Sequence, residues 1–151
     1  MVSLTDPVNM TLKTGEVVKG PGKIIGVYDT TGVRVTATGA NEIGIGISAG
    51  ASSRDADGAL DTNAGATVAV YPMGATMYVQ SLNGLTWSVG DLVYADANGL
   101  ASQTSSSQKV IGVYVGEGEL TTTALVVNGA GDSGATEGNM ILVATSGAAT
   151  A

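Results

Sequence analysis

The chain has 151 residues, with 23 Gly, no Cys, no His and no Phe, and 13 acidic against 6 basic side chains for a net charge of −7. Without His or Cys it lacks the commonest general base, the usual soft metal ligands, every thiol nucleophile and every disulfide, so catalysis would rest on Asp, Glu, Lys, Tyr or hydroxyl groups. Its 18 Val, 18 Thr and 7 Ile outnumber Leu and Met together by almost three to one, which predicts an all-β chain of single-domain size, a small β-barrel or sandwich with little or no helix.

Residues 1–15 carry no clean periodicity and read as an extended N-terminal arm. β-type runs follow at 16–19, 23–28, 33–38 and 42–48. Residues 49–66 are small, polar and acidic, a long loop leaving the sheet. Further runs stand at 67–71, 76–82, 91–95, 109–115, 121–127 and 140–145, about ten strands in all. Asn83-Gly84, Asn98-Gly99 and Asn128-Gly129 supply the positive φ that tight hairpin turns need. The Ser-rich run 102–108 reads as a flexible connection, and 146–151 as a small-residue tail. The expected organisation is therefore an arm, one β domain over 16–145 and a flexible C-terminal tail.

One sequence recurs. Lys23-Ile-Ile-Gly-Val-Tyr28 is echoed by Lys109-Val-Ile-Gly-Val-Tyr114, with a shorter version at Ile45-Gly-Ile47. A Gly inside a β run marks a bend or a close approach, so the echo predicts bent strands at equivalent corners of a barrel. In residues 42–47 strict alternation would place Ile43, Ile45 and Ile47 on one face and Gly44 and Gly46 on the other. The glycine face would then be filled by a neighbour such as Trp87, or left open to a flat ligand.

Charge is unevenly spread. Residues 1–54 hold five basic and four acidic side chains, a balance of +1, and residues 55–151 hold Lys109 against nine acids, a balance of −8. So acidic a body argues against nucleic acid as a partner. No apolar stretch approaches the ~18 residues of a membrane span, and no basic-then-apolar leader opens the chain, so neither a membrane nor a signal peptide is expected.

Chemical motifs are weak. The spacing of Asp55, Asp57, Asp61 and Asn63 suggests a calcium loop but misplaces the Gly and lacks a closing Glu, so a solvated loop is expected. Gly20-Pro-Gly-Lys23 has neither the hydroxyl residue nor the helix of a phosphate loop. Lys109 beside Ser105–Ser107 is the sole hint of a hydroxyl nucleophile with its base, and nothing beside it supplies an oxyanion hole. No catalytic residue, cofactor or metal is assigned, and no enzyme is expected.

The stretch Gly90-Asp-Leu-Val-Tyr94, the Asn98-Gly99 turn, Lys109-Val-Ile-Gly-Val-Tyr114, the Gly-Glu-Gly-Glu turn at 116–119 and the valine-rich run 121–127 together resemble the capsid decoration, or cement, proteins of tailed bacteriophages and related viruses. The resemblance covers the C-terminal part of the chain best and the first half loosely, through 43–48 and 67–71. It implies a structural virion protein, made in the host cytoplasm, that binds the outside of an expanded icosahedral head. There it would act as a homotrimer on the major capsid protein and tie capsomers together against internal DNA pressure. Within that reading the charge split assigns Lys13, Lys19 and Lys23 to the capsid-facing side, and the large ring of Trp87 is a further partner-binding candidate. A tail, fibre or other surface-binding β module of a virion, for example a carbohydrate-binding one, is the alternative.

Overall fold

The structure, a computed structural model, describes residues 6–36, 44–96, 98–105, 110–116 and 137–146. Within them the chain is all-β, as its composition predicts, with no helix and ten strands: β1 (Val8–Thr11), β2 (Ile24–Asp29), β3 (Gly32–Val35), β4 (Gly44–Ser48), β5 (Thr67–Pro72), β6 (Thr76–Leu82), β7 (Leu92–Ala95), β8 (Ala101–Ser102), β9 (Val110–Tyr114) and β10 (Glu137–Thr145). The predicted strand at 121–127, the turn at Asn128-Gly129 and Lys109 lie outside the described residues.

The ten strands form two five-stranded units. In the first the order is β1-β5-β4-β2-β3. A parallel bridge between Leu12 and Val33 brings its two edges together, and the Lys13 N–H donates to Val33 O at 2.9 Å, so the sheet curls nearly shut. The second is a closed barrel, β10-β6-β8-β7-β9. Closure removes the unpaired edges that would otherwise invite aggregation.

Numbered one to five in chain order, the strands of both units run one-five-four-two-three around the ring. Strands one and three meet in parallel in both, at Leu12 with Val33 and at Ser81 with Ala101. The registers coincide as well. Gly46 stands opposite Ile25 and Pro72, and Gly112 opposite Val93 and Thr145. Each central strand carries an extra residue next to that glycine, Ile45 in β4 and Ile111 in β9, where the pairing with β2 or β7 shifts. The chain is thus a tandem of one barrel topology, with Ile24 and Ile47 equivalent to Leu92 and Val113, and Val27 equivalent to Ala95.

This duplication corrects the expected correspondence of the echo. β9 matches β4, so Ile45-Gly-Ile47 is the structural repeat of Ile111-Gly-Val113, while Lys23–Tyr28 contributes a different strand of its barrel. The bulge also breaks the expected alternation: Ile45 packs against the first core and Ile47 belongs to the second. Trp87 is not the neighbour that fills the glycine face. A Cβ on Gly44 would meet Ile111, Ile24 and Met73, and one on Gly46 would meet Val70 and Tyr71.

Consecutive residues Ile24 and Ile25 join the units. Ile25 enters the first core with Leu12, Val18, Val33, Val68 and Val70. Ile24 points the other way and, with Ile47, enters the second core among Val79, Val93, Ile111, Ile141 and Val143. The end of the second barrel that carries Asp96, Asn98 and Gly99 therefore rests on the outer face of the first. Ile24 N–H donates to Gly99 O at 2.7 Å, Gln80 N–H to Gly22 O at 2.9 Å and the Thr36 hydroxyl to Asp96 O at 3.1 Å across this seam. Complete burial of a side chain of this size contributes about 1.5–3 kcal/mol, so Ile24 and Ile47 make the two units cohere.

Residues 8–12 are not a free arm. β1 pairs with β5 from Val8 to Thr11, and Leu12 is a core residue. The run at 16–19 forms no strand. Val18 is nonetheless fully buried, its N–H donates to the Ser52 hydroxyl at 3.0 Å, and its carbonyl accepts from Ser52 N–H at 2.8 Å. The short β8 completes the second barrel and escaped the pattern because two residues show no alternation.

Candidate interaction surface

Lys23 lies in the seam between the barrels. It is 4% exposed, its Nζ donates to Gln80 Oε1, and its N–H donates to the Ser48 hydroxyl at 2.9 Å. A side chain committed in this way cannot meet a partner, so Lys23 leaves the predicted capsid-facing set. Lys13 is half-buried beside the bridge that closes the first barrel, and Lys19 is exposed on the same unit. Arg34 stands near Lys13 on β3, with Nη1 3.9 Å from Glu16 Oε1.

Trp87 caps the far end of the second barrel. Its ring centroid is 5.8 Å from that of Tyr114 at an interplanar angle of 36°, and its Nε1–H donates to the Ser81 hydroxyl at 2.9 Å. It is half-buried against the second core. The recess beside it, lined by Ser81, Leu82, Leu85, Trp87 and Ile141 among others, encloses about 90 Å³. Small-molecule pockets run to roughly 300–1,000 Å³, so this recess has no room for a sugar chain or a cofactor.

Four of the acidic side chains fasten turns. Asp55 Oδ1 accepts from the N–H groups of Asp57 and Ala59 at 2.9 and 3.0 Å, and Asp61 Oδ1 from Asn63 N–H at 2.9 Å. Asp96 Oδ1 accepts from Asn98 and Leu100 at 2.8 Å each, and Asp91 Oδ2 from Ser88 at 2.8 Å. These are the local side-chain-to-backbone bonds that Asp uses to stabilise loops. The 49–66 excursion is consequently ordered by its own carboxylates and by a bridge between Arg54 and Leu60. Among the described residues no three acidic side chains gather in a way that would hold a metal ion.

The second barrel has an apolar outer face. Leu92, Tyr94, Val110, Val113, Leu142 and Ala144 are paired in register across β7, β9 and β10 or alternate with the inward Val93, Ile141 and Val143. On a barrel exposed to water these outward positions would ordinarily be polar. Leu92 is 48% exposed, the others half-buried, and no charged group stands among the six. Val89, 75% exposed, adds to the apolar surface beyond β7, lying where a Cβ on Gly116 would be. Sequence reasoning missed this face because its residues look like ordinary strand residues until the register assigns them to the outside.

Comparison of the chain with known protein families, with curated proteins and with solved structures finds no match.

Proposed function

We propose that the protein is a structural virion component, a capsid decoration protein that binds the outer surface of a viral head and stabilises the capsomer lattice. The observation that carries this reading is the uncharged apolar outer face of the second barrel, in a chain whose net charge is −7. Contiguous apolar surface on a soluble protein marks a place where another protein sits, here the head or a neighbouring copy of the chain in the decorating lattice. Four of the carboxylates, the natural acid and base groups of a chain without His, hold turns at Asp55, Asp61, Asp91 and Asp96, which favours binding over catalysis there. The order of strand and turn motifs in residues 90–127 adds the resemblance to cement proteins. A lattice of many copies also multiplies a modest affinity per site.

The test is cosedimentation of the purified protein with heads of the virus that encodes it, before and after expansion. Saturable binding to expanded heads at a fixed copy number is the expected result. Failure to sediment with either form overturns the proposal, and binding to host-cell polysaccharide instead would move the protein to the carbohydrate-binding alternative.

A further inference from the structure

The tandem leaves one interface half-used. On the first barrel the outer pair Ile24 and Ile47 receives the end of the second barrel and is 0% and 1% exposed. Of the equivalent outer pair on the second barrel, Leu92 is 48% exposed and Val113 half-buried. The complementary surface shows the same contrast. Ala95, at the end of the second barrel that docks on Ile24 and Ile47, is 6% exposed, whereas its equivalent Val27, at the corresponding end of the first barrel, is 43% exposed. Two of the four large hydrophobic side chains exposed on the described surface are therefore the two halves of a contact the chain already makes once internally.

We infer that a second copy of this chain docks here, the Val27 end of its first barrel resting on the Leu92–Val113 face of the second barrel of its neighbour. Charge favours this head-to-tail pairing. Divided between the barrels, residues 1–75 hold five basic and seven acidic side chains, a balance of −2, with Lys13 and Arg34 near Val33, and residues 76–151 hold Lys109 against six acids, a balance of −5, with Asp91 adjoining Leu92. Two second barrels set face to face would bring more like charge together than the head-to-tail arrangement does. A heterologous contact of this kind closes into a ring if the rotation between copies allows, and otherwise propagates as a filament. The inference rests on the duplication and not on the proposed decoration role.

Sedimentation equilibrium of the pure protein with two surface variants tests it. Wild type should exceed the 14.8 kDa of one chain, with a mass that rises with concentration. Leu92→Asp and Val27→Asp should each weaken association at least ~30-fold, the scale of an interface hot spot. Each variant keeps the surface the other has lost, so an equimolar mixture should form a one-to-one heterodimer. Circular dichroism checks folding, and Val27→Ser replaces Val27→Asp if the latter does not fold. A wild type that stays at one chain at all concentrations overturns the inference, as does a mixture that remains monomeric while wild type associates. Since no capsid enters the experiment, its outcome is separate from that of cosedimentation with heads.

Discussion

Replacing Gly46 or Gly112 by Ala adds one methyl group at the same place in each barrel. On Gly46 the new Cβ would overlap Val70 Cγ1 and stand 2.5 Å from Tyr71 O; on Gly112 it would overlap Ala144 O and stand 2.9 Å from both Thr145 Cα and Val143 Cγ1. A flexible side chain could give way, but Tyr71 and Ala144 belong to strands paired on both sides, and moving their carbonyls breaks ladder bonds. Overpacking of a rigid interior costs about 1–3 kcal/mol, and backbone contacts place these variants near the upper end, partly offset by the ~0.5–1 kcal/mol by which Ala is favoured over Gly in a strand. A net loss of about 2 kcal/mol lowers the melting temperature by roughly 4–8 °C in a chain of this length. Gly50, whose added Cβ meets nothing within 4 Å, is the control and should change stability by less than about 0.5 kcal/mol. Urea unfolding followed by Trp87 fluorescence and by far-ultraviolet circular dichroism reads all three. If Gly46→Ala or Gly112→Ala unfolds at the wild-type midpoint, the equivalence of the two sites and the close approach behind it are both refuted.

Other substitutions probe the remaining features. Asp96→Ala leaves the N–H groups of Asn98 and Leu100 without their shared acceptor and should cost about 1–3 kcal/mol by urea unfolding, with Asp96→Asn, which retains an oxygen, losing less. Leu12→Ala should cost about 2–5 kcal/mol, where the same change in a free arm would cost nothing measurable; a wild-type midpoint would return residues 8–12 to the arm. Calcium titrated calorimetrically into the protein should give no saturable heat up to millimolar concentration, because Asp55 and Asp61 already accept backbone N–H groups; micromolar binding would show that the loop rearranges into a site.

Much of the β architecture was legible in local pattern. β-branched runs bounded by Gly and Asn gave the positions of β2 to β7, β9 and most of β10, and Asn98-Gly99, with Gly99 at φ 69°, turns between β7 and β8 as its residues require. Asn83-Gly84 looks identical in sequence but opens the long excursion to β7, because β6 and β7 are not neighbours in the ring. What local pattern could not reveal was division into two barrels. Ile24 and Ile25 are indistinguishable in chemistry, and only the three-dimensional pairing sends one to each core. The duplication was hidden for the same reason: apart from the Ile-Gly pair, equivalent positions share register rather than identity, as in Leu12 and Ser81 or Val27 and Ala95. Of the residues expected at the partner surface, Lys23 shows how a charged side chain can be recruited to a seam, where Gln80 accepts from its ammonium. Leu92 and Val113 pass unnoticed in the sequence because an outward position in a barrel is defined by the residue opposite.

The measurement closest to the proposed function is genome retention on heating, compared for expanded heads assembled with and without the protein. Decorated heads should keep their DNA at temperatures where bare heads release it, and a Leu92→Asp form that remains folded should protect less. Equal release temperatures for decorated and bare heads, with the protein demonstrably bound, would contradict a role in stabilising the lattice.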